Sequence, residues 1–121
     1  MTRIKDWKVE DLTSEQKEIH DTIINGPRGH VVGPLRVWLN NPGLARSAQT
    51  VGAYARYGTC LSKGLSELAI IVTGRVWSSE FEWEHHAPLA IEGGINPKYV
   101  DTISLGKKPN FESPEEDAVF D

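Results

Sequence analysis

Residues 65–95 read LSELAIIVTGRVWSSEFEWEHHAPLAIEGGI, and the fold follows from how this stretch is parsed. Leu65, Leu68, Ala69, Ile71, Val72, Val76 and Trp77 recur at spacings of three and four and cover more than half of a helical circumference, which predicts a helix placed inside the fold. The run LAIIV would also suit a buried strand, but no turn-delimited partner strand exists elsewhere in the chain. A helical pattern restarts at Ser79 and continues through Phe81, Leu89 and Ala90 to the Gly93-Gly94 stop. Pro88 lies inside that span and predicts a kink or a break, because proline removes one helical hydrogen bond.

The flanks follow the same helical grammar. Thr13 with Gln16 forms a capping-box pattern ahead of Ile19, Ile23 and Ile24, and Gly26-Pro27 ends that helix. Pro34 opens a short helix with Leu35, Trp38 and Leu39, stopped by Asn40-Asn41-Pro42-Gly43. Leu44 to Tyr57 is again helical, and Ser62 caps the helix of the opening stretch. Asn96-Pro97 starts another helix that Gly106 ends, and Ser113-Pro114-Glu115-Glu116 starts a last one close to Asp121. So strong a start signal before so little helix suggests either a fragment, truncated at the C-terminus, or a tail that docks on another subunit. All elements are helices, so the fold class is all-α, and no linker divides residues 1–121 into more than one domain.

With 121 residues, 39% of them hydrophobic, the chain can bury one modest core. A net charge of -4 disfavours an extended nucleic-acid surface, which leaves small molecules and protein partners. Cys60 is the only cysteine, which excludes an intramolecular disulfide and a cysteine-based metal cluster within one subunit. No stretch reaches the roughly 18 apolar residues that span a bilayer, and the first residues lack a signal-peptide core, so a cytoplasmic protein without a membrane role is expected.

The chemistry concentrates in the opening stretch. Glu67 sits among Leu65, Leu68, Ala69, Ile70 and Ile71, where a carboxylate needs a donor because unpaired burial costs several kcal/mol. Glu82 and His86 are four apart and share one helix face. A desolvated glutamate with a nearby histidine is the pattern of an acid/base pair. Each residue also has a plainer reading: Ser79-x-x-Glu82 is itself a capping box, Glu67 could face solvent at a helix start, and His86 could be a packing residue. His20 and His30 have no local acid partner and read as surface groups. Trp77 and Trp83 read as core or interface residues. A metal site at Glu82, His85 and His86 is disfavoured, since adjacent helical residues point about 100° apart.

This segment is similar to the carboxymuconolactone decarboxylase family, whose relatives include the alkylhydroperoxidase D-type proteins. The shared features are L-x-E-L-A-I at Leu65 to Ile70, a helix start at Ser79, E-W-x-x-H at Glu82 to His86, and the stop Glu92-Gly93-Gly94-Ile95. The resemblance implies an alkylhydroperoxidase D-like bundle of about six helices, assembled as a homotrimer or homohexamer, with a pocket near subunit contacts. In the peroxidase-like relatives a Cys-x-x-Cys pair works with an upstream glutamate and a downstream histidine. Those four fall on Ser79, Glu82, Glu67 and His86, so the thiol chemistry behind the peroxidase label is missing here. In the decarboxylase branch the retained E-x-x-x-H element falls on Glu82 and His86. The resemblance therefore implies a lyase without a cofactor, acting on a small carboxylated lactone or ring compound. His86 would donate a proton or stabilise an oxyanion, Glu82 would orient it, and Glu67 would be a second acid/base group. Arg75, outside the motif, is a candidate for the substrate's negative charge, and Ser79 and Trp83 join it as substrate-binding residues. The alternatives are a non-catalytic oligomer of the same fold and a metal-binding protein.

Overall fold

The computed structural model describes residues 3–121, and among them every regular element is helical. A 3-10 turn at Val9–Asp11 precedes seven α-helices: α1 (Ser14–Ile24), α2 (Pro34–Trp38), α3 (Pro42–Tyr57), α4 (Lys63–Val76), α5 (Glu80–Glu92), α6 (Pro97–Ser104) and α7 (Pro114–Phe120). None is long and apolar enough to cross a membrane. The chain forms two compact units, Met1–Thr59 and Cys60–Asp121.

In the first unit α1, α2 and α3 enclose Ile19, Ile23, Leu35, Leu39 and Ala45. The Thr13/Gln16 capping box is formed in both directions. Gln16 does a second job that its spacing did not announce, since its buried Nε2 donates to the Leu39 carbonyl at 2.8 Å and ties α1 to the end of α2. His20 does have an acidic partner, its own neighbour Asp21 at 3.1 Å, contrary to expectation. Helix α3 buries little beyond Ala45 and exposes Leu44, Val51 and Tyr54.

The second unit is built on the antiparallel hairpin of α4 and α5, with α6 and α7 packed on α4. Its core is Leu68, Ile71, Ala87, Ala90, Ile95, Val100 and Ile103. Full burial of each of the larger aliphatic side chains contributes about 1.5–3 kcal/mol. Two glycines let the hairpin close. A Cβ on Gly64 would lie 2.5 Å from the Gly93 carbonyl oxygen, and one on Gly74 would lie 3.2 Å from Glu82 Cβ. Backbone therefore meets backbone at the Gly64/Gly93 end of the hairpin, and Glu67 and His86 face each other between the two contacts.

Three local expectations are corrected. Helix α5 is unbroken through Pro88, which is exposed, while Ala87 and Ala90 on either side of it are buried; core packing on both flanks outweighs the one missing backbone bond. Val76 and Trp77, expected inside, are exposed, Trp77 to 80%, because α4 ends there and the chain turns away. Ser79 occupies the N-cap position of α5 but makes no side-chain cap, so the Ser79/Glu82 capping box is not formed. Helix α7 lies against α4 in its own unit, where Phe111 packs edge-on to Tyr99 with ring centres 5.0 Å apart, and Lys108 holds Asp117 and Asp121.

Candidate active site

Glu67 occupies the second turn of α4, where Ser62 has already capped the helix by accepting from the Leu65 amide. The apolar face of α4 carries Glu67 inward together with Leu68 and Ile71, leaving the residue only 3% exposed. The donor that a buried carboxylate requires is His86, on the facing side of α5 and 6% exposed. Its Nδ1 lies 2.6 Å from Glu67 Oε2. The other ring nitrogen, Nε2, faces Glu82 Oε2 at 3.2 Å, one helical turn back along α5. The three residues singled out from the sequence thus form one chain, Glu82–His86–Glu67. Glu82 is its outlet, with a side chain one-third exposed.

The two contacts differ in kind: His86 Nδ1 and Glu67 Oε2 share a hydrogen bond, while Nε2 and Glu82 Oε2 stand at ion-pair distance. His85 stacks on Phe81 and meets the His86 ring edge-on, with ring centres 4.8 Å apart. Among the described residues no set of three or more His, Cys, Asp or Glu side chains is grouped to hold a metal ion. Cys60 is exposed.

Arg75, Ser79 and Trp83 also come together, with Gly74, Ser78, Glu80, Glu84 and Ser104, around a cavity of about 420 Å³ at the α4–α5 turn. Arg75 is held there by donating from Nε to the Ser104 carbonyl at 2.8 Å, which leaves its terminal nitrogens for a ligand. Neither Glu67, Glu82 nor His86 lines this cavity, which opens beside Trp83 on another face of α5. The cavity approaches the Glu82–His86–Glu67 group at Gly74, the glycine against Glu82 Cβ.

Sequence reasoning missed three contributors to this corner. Gly74 in an apolar helix was the available signal, since glycine inside a helix costs about 1 kcal/mol relative to alanine and marks a close approach. Ser78 ends α4 with φ +54°, the one positive φ outside glycine among the described residues, in the place where a left-handed glycine usually stands. Its backbone lets the Ser79 amide donate back to the Gly74 carbonyl at 2.8 Å. Ser104 comes from the distant end of α6, and its contribution is a carbonyl that no side-chain pattern announces.

Comparisons of the chain with family models, with curated proteins and with solved structures returned no match.

Proposed function

We propose that this chain is an acid/base catalyst of the carboxymuconolactone decarboxylase type, a lyase that removes carbon dioxide from a small carboxylated lactone or related ring compound without a cofactor. The observation that carries this reading is the buried imidazole of His86 with a carboxylate on each ring nitrogen, 2.6 Å from Glu67 and 3.2 Å from Glu82. Loss of carbon dioxide leaves an electron pair delocalised into the ring as an enolate, and the reaction finishes when carbon takes up a proton. Glu82, the exposed end of the chain, delivers that proton and takes its replacement from solvent, with His86 beside it and Glu67 holding the ring in place from Nδ1. This shifts the proton donor from His86, expected from the resemblance, to Glu82, because His86 is buried and both its nitrogens are engaged. Arg75, Ser79 and Trp83 line a neighbouring cavity that Glu67, Glu82 and His86 do not, so the substrate-binding role the sequence suggested for them has no part in this step.

The family resemblance further suggests a homotrimer or homohexamer, and the single cysteine suits a cytoplasmic setting. Thiol-dependent peroxide reduction is outside this proposal, since Ser79 and Glu82 stand where the peroxidase-like relatives carry cysteines. A second reading is favoured by the near-complete burial of Glu67 and His86: the same three residues could serve only to lock α4 to α5 in a non-catalytic oligomer.

Carbon dioxide release from a panel of carboxylated five-membered lactones separates the two readings. The catalytic reading expects turnover that falls by about 100-fold or more in Glu82→Gln, the usual scale of a lost general acid, while the melting temperature stays near that of the parent. Equal turnover in parent and Glu82→Gln, or no turnover of any member, supports the structural reading.

A further inference from the structure

The cavity of about 420 Å³ at the α4–α5 turn lies within the second unit and carries charges of both signs. Arg75 lines it from α4, and Glu80 and Glu84 line it from α5 together with Trp83. Spacings of three and four put Glu80, Trp83 and Glu84 on one face of that helix. Trp83 also packs against the core of the unit, so its indole is a held wall rather than a loose side chain.

These charges share a cavity without neutralising one another. Arg75 makes one hydrogen bond among the described residues, from Nε to the Ser104 carbonyl, and that acceptor carries no charge. Neither Glu80 nor Glu84 forms an ion pair or a hydrogen bond among the described residues, whereas Glu92 of the same helix lies 3.0 Å from Lys63 and Asp117 of α7 lies 2.8 Å from Lys108. The Ser79 side chain, at the N-cap position of α5, makes no cap. The mixed lining selects by charge. A simple anion drawn to Arg75 meets two carboxylates, and a simple cation drawn to the carboxylates meets the guanidinium. A ligand that carries both signs satisfies both sides.

We propose that this cavity binds a free α-amino acid with an aromatic side chain, its carboxylate on the terminal nitrogens of Arg75, its ammonium between Glu80 and Glu84, and its ring on the Trp83 indole. A guanidinium takes a carboxylate through parallel N–H···O bonds, an ammonium has three donors to share between two acids, and an indole takes a ring stacked or edge-on. Small-molecule sites usually measure about 300–1,000 Å³, so the volume suits a ligand of this size. The inference is independent of the lyase reading, since it shares no residue with Glu67, Glu82 or His86.

L-Phenylalanine, phenylpropionate and phenethylamine share one ring and differ in the charges they carry. Each is titrated into the isotope-labelled full chain, following the Trp83 indole resonance and the amide resonances of Ser78 and Ser104. The expected result is saturable movement of these resonances with phenylalanine and at least about tenfold weaker binding of either singly charged analogue. Arg75→Gln, and separately the Glu80→Gln, Glu84→Gln double variant, should each weaken phenylalanine binding by about tenfold or more. Glu80 and Glu84 are exposed, so the double variant keeps the test open in the case that Arg75→Gln fails to fold. No saturable movement with phenylalanine, a singly charged analogue that binds as tightly, or binding undiminished in a folded variant overturns the proposal.

Discussion

Removing Glu67 alone should damage the protein more than removing Glu67 and His86 together. In Glu67→Met the His86 ring, 6% exposed, loses the acceptor 2.6 Å from Nδ1 and gains none. Breaking a buried ion pair by deleting one partner costs about 3–5 kcal/mol, because the remaining group stays desolvated. His86→Leu leaves Glu67, 3% exposed, in the same position and should cost a similar amount. The double replacement Glu67→Met with His86→Leu substitutes apolar groups of comparable size for both, and such swaps are often neutral or mildly stabilising. The coupling between the two sites is then about 3 kcal/mol or more. For a chain of this size that corresponds to roughly 10 °C in melting temperature between each single variant and the double. Urea unfolding followed by helical circular dichroism reads all four corners of the cycle. Single variants that each lose less than about 1 kcal/mol, or a double variant as unstable as the sum of the singles, refute the claim that these residues are a buried, mutually dependent pair.

Other consequences follow from the hairpin and its termini. Gly64→Ala should destabilise by about 1–2 kcal/mol in urea unfolding, since the clash with the Gly93 carbonyl outweighs the gain of about 1 kcal/mol in helix propensity. Ser78→Gly should raise the melting temperature, by an amount equivalent to about 0.5–1 kcal/mol, because glycine adopts φ +54° without the strain of a Cβ. The carboxyls of Glu18 and Asp21 are held below their ordinary values, Glu18 by its hydrogen bond to Arg46 and Asp21 by those to His20 and Lys17. The stability they lend to α1 is complete above their unfolded values and is lost as pH falls through the lower folded ones. The protection of α1 amides, taken relative to the intrinsic exchange rate at each pH, should therefore fall on acidification to a smaller extent in the Glu18→Gln, Asp21→Asn double variant.

Much of the helical layout was legible because the signals were local. Thr13 with Gln16, Ser62, Asn96 and Ser113 each announce a helix start within three residues, and each makes its cap. Glu67 and His86 were legible as polar residues on apolar helical faces, which must find each other or fail. Glu82 was ambiguous from the sequence. A spacing of three to Ser79 and of four to His86 serves a cap and a side-chain pair equally well, and only the fold shows the carboxylate turned to His86. Trp77 misled because periodicity extends past the point where α4 stops; its indole falls on the turn and stands in solvent. The support of Arg75 by the Ser104 carbonyl could not be read from the sequence, since it depends on backbone brought from a distant part of the chain.

The central claim is that Glu82, backed by His86 and Glu67, hands a proton to carbon after carbon dioxide leaves. It is tested most directly by running the decarboxylation of a carboxylated lactone in deuterium oxide and examining the product by proton NMR. The expected result is one deuterium per product molecule, on a single face of the carbon that lost the carboxylate, with both the rate and this facial selectivity lost in Glu82→Gln. Deuterium on both faces in the parent protein, or unchanged selectivity in the variant, would contradict the assignment.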